Sequence, residues 1–224
     1  MKQRLSRETM AMRIARELKD GEVVNLGVGI GTLIPEYIHP AKRVIFHAEN
    51  GAIGYGRVLV DGEEHLVNID LINAGGQFIT AEPGMCFCDF AEAFDAIRVG
   101  RVDTTVLGGL EVSEKGDLAN WSLDPKGSAG RLGGAMDMPV GAKRTIVAMS
   151  HTTNDGRPKI VKGCTLPLTA KECVNLIFTD VAVIEVTKQS ILLKEFAHGW
   201  TPEEIQSITE PRLLISGDLC EIEL

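Results

Sequence analysis

No stretch of this chain approaches the roughly 18 consecutive apolar residues of a membrane-spanning helix. The N-terminal MKQRLSRETMAMRIARELKDG scatters charge where a signal peptide would hold an apolar core. No cluster of Lys and Arg stands anywhere, and the formal net charge is −8. Nucleic acid and anionic membrane are therefore not expected as partners, since both call for clustered cations. An anionic small substrate stays open, because helix ends and backbone amides bind anions on acidic proteins too. The five cysteines, Cys86, Cys88, Cys164, Cys173 and Cys220, are odd in number and irregular in spacing. That gives no disulfide framework and fits a reduced, cytoplasmic compartment. Fixed-period repeats, low-complexity linkers and composition breaks are missing as well, so residues 1–224 read as a single domain.

What is present is ordinary globular material: 44% hydrophobic and 24% charged residues, enough for a real core. Ser6 can cap a first helix, with Met10, Ile14 and Leu18 on one face and Gly21 ending it. Strands are expected at Val23–Leu26, Val44–His47, Leu71–Asn73, Thr104–Leu107, Thr145–Met149, Val181–Val186 and Ile191–Phe196. Helices are expected around Leu33–Ile38 and at Asp89–Val99, where Phe90, Phe94 and Ile97 share a face. Two more are signalled by capping boxes, at Thr169 with Glu172 and at Thr201 with Glu204. A hairpin turning at Lys115-Gly116 falls within Glu111–Ser122, and Asn154-Asp155-Gly156 is a turn. Alternating strands and helices predict an α/β fold with an open, largely parallel sheet flanked by helices.

Several of these strands run into glycine: Gly27/Gly29/Gly31, Gly51/Gly54/Gly56, Gly75/Gly76 and Gly108/Gly109. Tight turns use glycine, and so do backbones that approach a ligand at the carboxyl ends of parallel strands. The most informative of these loops is FHAENGAIGYG, Phe46–Gly56, and its Glu49 admits three readings. Asn50-Gly51 is a strong hairpin signal, which would make Glu49 a rim residue. His47-Ala48-Glu49 matches the H-x-E of zinc deaminases, but the downstream Pro83–Cys88 run has C-x-C where that site needs P-C-x-x-C. A metal site is therefore not expected. The third reading is a carboxylate nucleophile on a tight loop, with neighbouring backbone N–H groups to receive an oxyanion.

Six motifs in order give the third reading its content. They are Asn25-Leu26-Gly27-Val28-Gly29, Ala48-Glu49-Asn50-Gly51, Leu71-Ile72-Asn73-Ala74-Gly75, Gly116–Trp121, Gly133-Gly134-Ala135-Met136-Asp137 and Cys164–Thr169. With them, nearly the whole chain resembles the beta subunit of the family I coenzyme A transferases, of the 3-oxoacid and 3-oxoadipate type. The resemblance implies the CoA-transferase fold and a ping-pong transfer through a glutamyl-CoA thioester on Glu49. It implies an oxyanion and CoA site involving Gly133, Gly134 and Asn25, and a substrate loop drawing on Asn50, Gly51, Asn73 and Gly75. It also implies a partner, the CoA-transferase alpha subunit, in an α2β2 heterotetramer, and no cofactor beyond CoA as substrate. Succinyl-CoA with a 3-oxoacid such as acetoacetate is the first pairing it suggests; 3-oxoadipate and acetate with short acyl-CoA remain alternatives. A non-catalytic scaffold is the alternative from another class. The chain departs from the family pattern at Ala48, where Ser is usual, at Ile30, at Arg57 and at Gly76, where many relatives carry Lys. His151, Trp121 and Trp200 are expected to be structural, and Cys86 and Cys88 to be buried or inert thiols.

Overall fold

The computed structural model describes residues 2–127, 129–130 and 133–223. Ser6 caps α1 (Arg7–Glu17) by accepting from the Thr9 N–H, and the chain turns at Gly21 into β1 (Val23–Leu26). A 3-10 turn over Gly31–Tyr37 follows, tightened around Pro35 where a short helix is expected from sequence. Then come β2 (Ile45–His47), β3 (Ala52–Tyr55), β4 (Cys86–Phe87) and α2 (Phe90–Arg98), the last with an Asp89/Glu92 capping box. Next are β5 (Thr104–Gly108), β6 (Glu111–Ser113) and β7 (Leu118–Ala119), a 3-10 turn at Gly134–Met136 and α3 (Met138–Gly141). The chain continues through β8 (Arg144–Met149), β9 (Ile160–Val161), β10 (Leu176–Thr179), β11 (Ala182–Val186) and β12 (Ile191–Phe196). It closes with α4 (Pro202–Ser207), capped by the Thr201/Glu204 box, and β13 (Leu213–Glu221).

Ten strands form one sheet, in the order β13-β12-β11-β10-β8-β5-β1-β2-β3-β4. The middle of it, β10-β8-β5-β1-β2, is parallel throughout. Those strands are buried on both faces, and alternate side chains serve two cores. Leu107, Val147 and Ile177 pack with Phe94 and Ile97 of α2 on one side. Val106, Ile146 and Phe178 pack with Ile14 and Leu18 near α1 on the other. A small second sheet, β7-β6-β9, contains the hairpin expected at Lys115-Gly116.

Strand order reverses at β1. The chain runs from β1 to β2 on one side, then crosses to β5 and β8 on the other. Open α/β sheets bind ligands beyond the carboxyl ends of the strands at such a point.

Some sequence expectations fail, each for a local reason. Residues 169–172 form no helix. The Thr169 hydroxyl, expected to cap it, instead donates to Asn120 Oδ1 at 2.6 Å, and Ala170 forms a β-bridge with Leu118. Glu172 has φ 48°, and its N–H donates to Asp117 Oδ1. Pairing with the β6–β7 hairpin overrides the helical signal. Leu71–Asn73 is no strand of the main sheet; it makes a single bridge, Ile72 to Phe78. Phe90, expected on the buried face of α2, is 66% exposed and rests on Phe94 with ring centroids 4.6 Å apart.

Candidate active site

Glu49 stands two residues beyond β2, where the parallel block ends. Asn50-Gly51 is indeed a hairpin: β2 and β3 are antiparallel, Ala48 N–H donates to Ala52 O, and Gly51 N–H donates to Ala48 O. Gly51 has φ 99°, and a Cβ there would overlap the Cys88 carbonyl oxygen at 2.0 Å, so this turn admits only glycine. The turn and nucleophile readings are therefore compatible. The hairpin is what holds up the carboxylate.

The backbone of Gly134 lies against that carboxylate. A Cβ on Gly134 would sit 3.0 Å from Glu49 Oε1, 3.2 Å from Glu49 Cγ and 3.2 Å from Phe94 Cζ. Glycine here lets main chain come close to the acid. Gly133 precedes it in extended conformation, with open space where a side chain would be. Arg131 and Leu132 of the same loop lie outside the described residues. Glu49 is half-buried, and among the described residues no group donates a hydrogen bond to its carboxylate.

The other expected loops converge on the same end of the sheet. Asn50 Nδ2 donates to Ile72 O at 2.8 Å, fastening the hairpin to the 71–77 loop. Gly75 packs on the glycine loop after β1, since a Cβ there would meet Val28 Cγ2 at 2.9 Å. Asn73 is buried. Its Oδ1 accepts from the N–H groups of Gly75 and Gln77, and its amide donates to Gln77 Oε1, so it folds its own loop. Asn25 is fully buried between strands. Its amide donates to His47 O at 3.2 Å, and its Oδ1 accepts from Thr105 Oγ1 at 3.2 Å. In this arrangement Asn25 and Asn73 shape the site from beneath.

His47, which sequence offers only as a metal ligand, has both ring nitrogens occupied. Nε2 lies 3.1 Å from Ala93 O and Nδ1 lies 3.5 Å from Asn25 Nδ2. Burial lowers its pKa, opposed by the Ala93 bond and the Glu49 charge. Tyr55 is buried nearby; its pKa is raised by burial and then by Glu49. No group of three His, Cys, Asp or Glu placed to hold a metal occurs among the described residues. All five cysteines are free; of the pair expected to be buried or inert thiols, Cys86 is exposed and Cys88 is half-buried, with its thiol pKa raised by burial. His151 is a core residue, its ring nitrogens 2.9 and 2.8 Å from the hydroxyls of Thr179 and Thr209. Sequence reading missed Phe94 and the Arg98–Asp137 ion pair beside the glycine loop. The buried face of α2 marks Phe94 as core, and nothing in sequence joins it to residue 134.

A carboxylate backed by the glycine main chain of residue 134 thus stands at the switch point of the α/β sheet. The chain belongs to the coenzyme A transferase family, whose profile matches residues 7–206. It is 45% identical over 209 residues to the beta chain of a probable coenzyme A transferase of Bacillus subtilis, covering 93% of this chain and 94% of that one. It is 43% identical to the corresponding chain of the 3-oxoadipate CoA-transferase of Pseudomonas putida, over 92% of this chain and 95% of the relative. With the corresponding chain of the succinyl-CoA:3-ketoacid coenzyme A transferase of Helicobacter pylori the identity is 42%, over 91% and 96%. Among solved structures, an acyl-CoA transferase of Escherichia coli O157:H7 superposes with a TM-score of 0.76 at 21% identity. That match covers 97% of this chain but 43% of the larger one, so the chain spans under half of that enzyme's length. The chain is thus a CoA-transferase subunit of the beta kind. Among the described residues no helix is long and apolar enough to cross a membrane.

Proposed function

We propose that this chain is the nucleophile-bearing subunit of a 3-oxoacid CoA-transferase, and that Glu49 carries the acyl and CoA groups in turn. The observation that carries the reading is the Glu49 carboxylate, free of donors among the described residues, set against the backbone of Gly134.

A Glu49 oxygen attacks the thioester carbonyl of the donor; the C–S bond breaks, leaving a mixed anhydride and CoA thiolate. The thiolate attacks the Glu49 carbonyl carbon, releasing the first carboxylate and leaving a glutamyl-CoA thioester. The second acid's carboxylate attacks that carbonyl and expels CoA, and the thiolate then takes the new acyl group, restoring Glu49. Each attack develops negative charge on a carbonyl oxygen, and the Gly134 N–H is the donor we assign to it. No proton need be moved and no metal or second cofactor enters; CoA is a substrate. The anhydride is labile to water, so the loops around Glu49 must be covered during turnover.

The donor and acceptor we favour are succinyl-CoA and a 3-oxoacid such as acetoacetate. Support comes from the relatives' names, with 3-oxoadipate and 3-ketoacid enzymes at 42 to 43% identity. A partner, the alpha subunit, completes the site in an α2β2 assembly, in line with relatives that are named as one subunit of two-part enzymes. A cytoplasmic setting is supported by five unpaired thiols.

The test is intact-mass spectrometry of the complex co-expressed with its alpha partner, incubated with succinyl-CoA, acetoacetyl-CoA or acetyl-CoA. A CoA adduct on this chain that vanishes in Glu49→Ala supports the nucleophile and names the donor. A folded complex that binds CoA but gives no adduct with any of the three refutes the reading.

A further inference from the structure

Two loops must meet for the chemistry, one holding Glu49 and one holding Gly134, and they lie far apart in sequence. Both are fastened to α2. On the nucleophile side, His47 is buried at the end of β2. The Ala93 carbonyl of α2 can only accept, so His47 Nε2 carries the proton it receives, at 3.1 Å. Nδ1 then faces the Asn25 amide at 3.5 Å, and the same amide donates to His47 O at 3.2 Å. Thr105 Oγ1 donates to Asn25 Oδ1 at 3.2 Å. Every donor in this series points the same way, from β5 through β1 and β2 to α2. The series admits one tautomer of the neutral His47 ring, and burial disfavours the charged form.

On the glycine side, the residue after Ala93 is Phe94, whose ring edge bounds the space beside Gly134. Four residues further along α2, Arg98 Nε donates to Asp137 Oδ1 at 3.0 Å, holding the far end of the Gly133–Asp137 loop. Just beyond, α3 is pressed onto α2: a Cβ on Gly141 would stand 2.4 Å from the Ile97 carbonyl oxygen.

We propose that α2 sets the distance between Glu49 and Gly134, and that His47 is a positioning residue that ties the nucleophile to it, with Arg98–Asp137 tying the glycine loop. The proposal rests on Glu49 being the nucleophile. His47 touches no substrate. It removes freedom from the short link that joins it to the reacting carboxylate, and misplacement of a reacting group by an ångström costs on the order of 10²-fold in rate.

The experiment uses the co-expressed complex and reads three quantities: the rate of CoA-adduct formation on Glu49, kcat, and KM for the acyl-CoA. Absence of adduct on the unmodified complex would count against the function proposed above, and the comparison among variants applies once that adduct forms. His47→Leu is expected to slow adduct formation and kcat on the order of 10²-fold while KM moves under about threefold. His47→Gln, which keeps an N–H for Ala93 O, is expected to recover at least about tenfold of that loss. If His47→Leu does not assemble, the exposed pair decides: Arg98→Asp should lower kcat about tenfold, and adding Asp137→Arg should restore most of it. A His47→Leu complex within about threefold of the parent kcat overturns the proposal. So does a His47→Gln complex no better than His47→Leu, or a charge-swapped pair no better than the single variant.

Discussion

Replacing Gly134 by Ala adds one methyl group at the point where fold and chemistry conflict. The position is free of positive φ, so alanine is admissible to the backbone, and losing a glycine from the unfolded chain stabilises by about 0.4–1 kcal/mol. Against that stand contacts of 3.0 Å to Glu49 Oε1, 3.2 Å to Glu49 Cγ and 3.2 Å to Phe94 Cζ. Relief calls for a few tenths of an ångström, and the group that gives way most easily is the Glu49 carboxylate, the loose end of a flexible side chain. The fold is therefore expected to stay within about 1 kcal/mol of the parent in urea unfolding. Activity is expected to fall on the order of 10²-fold in kcat, or about 2.7 kcal/mol of barrier, because what moves is the attacking atom. Stopped reactions read by intact mass would show adduct formation slowed by the same factor. Gly163→Ala, with nothing within 4 Å of its new methyl, serves as control. A Gly134→Ala complex that keeps its kcat within threefold would mean Glu49 does not work from this position, and the reasoning fails. Equal loss of stability and activity would refute it too, since it would put the strain in the scaffold.

Two further predictions concern the fold, one at the Glu49 hairpin and one in the core. Gly51→Ala meets both a positive φ and the Cys88 carbonyl at 2.0 Å, neither of which a side-chain rotation relieves, so it should destabilise by at least about 2 kcal/mol in urea unfolding; a loss under about 0.5 kcal/mol would contradict the hairpin described. His151 has its pKa lowered to about 4 by burial, so from pH 6.5 down to about 4 the unfolded chain binds a proton that the folded chain refuses. Stability contributed by the neutral ring is complete above pH 6.5 and is lost on acidification through that window, by about 3 kcal/mol in total; His151→Leu should flatten this part of the curve of unfolding free energy against pH, and an unchanged slope would refute the assignment.

Much of the sheet is legible in sequence because its central strands are short apolar runs bounded by glycine, and such runs suit strands buried on both faces. Val23–Leu26, Thr104–Gly108 and Arg144–Met149 fall where that pattern puts them. Leu176–Thr179 is equally apolar but follows a false capping box at Thr169, and the two signals merge. Ala52–Tyr55 and Leu213–Glu221 are strands for reasons of position: one is folded back by the Asn50-Gly51 turn, the other pairs along β12. Glu49 stands out in sequence because the motif around it, Ala48-Glu49-Asn50-Gly51, is contiguous. The nearness of Gly134 could be expected only from the family pattern, since 85 positions' worth of chain separate it from Glu49 and the link runs through α2. Asn25 and Asn73 illustrate the converse. Sequence marks them as polar residues beside glycine loops, but burial turns their amides inward.

The Asn50-Gly51 turn has a chemical consequence beyond geometry. An asparagine followed by glycine is the dipeptide most open to succinimide formation, because the glycine N–H can reach the side-chain carbonyl without a Cβ in the way. Asn50 is exposed, so solvent can reach it. Here Gly51 N–H is bonded to Ala48 O and the Asn50 amide to Ile72 O, and both bonds must open before the ring can close. Ageing should therefore strike the working complex slowly and the loosened chain fast. When it does, it places a second negative charge, or an extra backbone carbon, next to Glu49, the proposed nucleophile. Stored protein would lose activity by a mass change of about a single dalton while its spectrum and melting point still looked fresh.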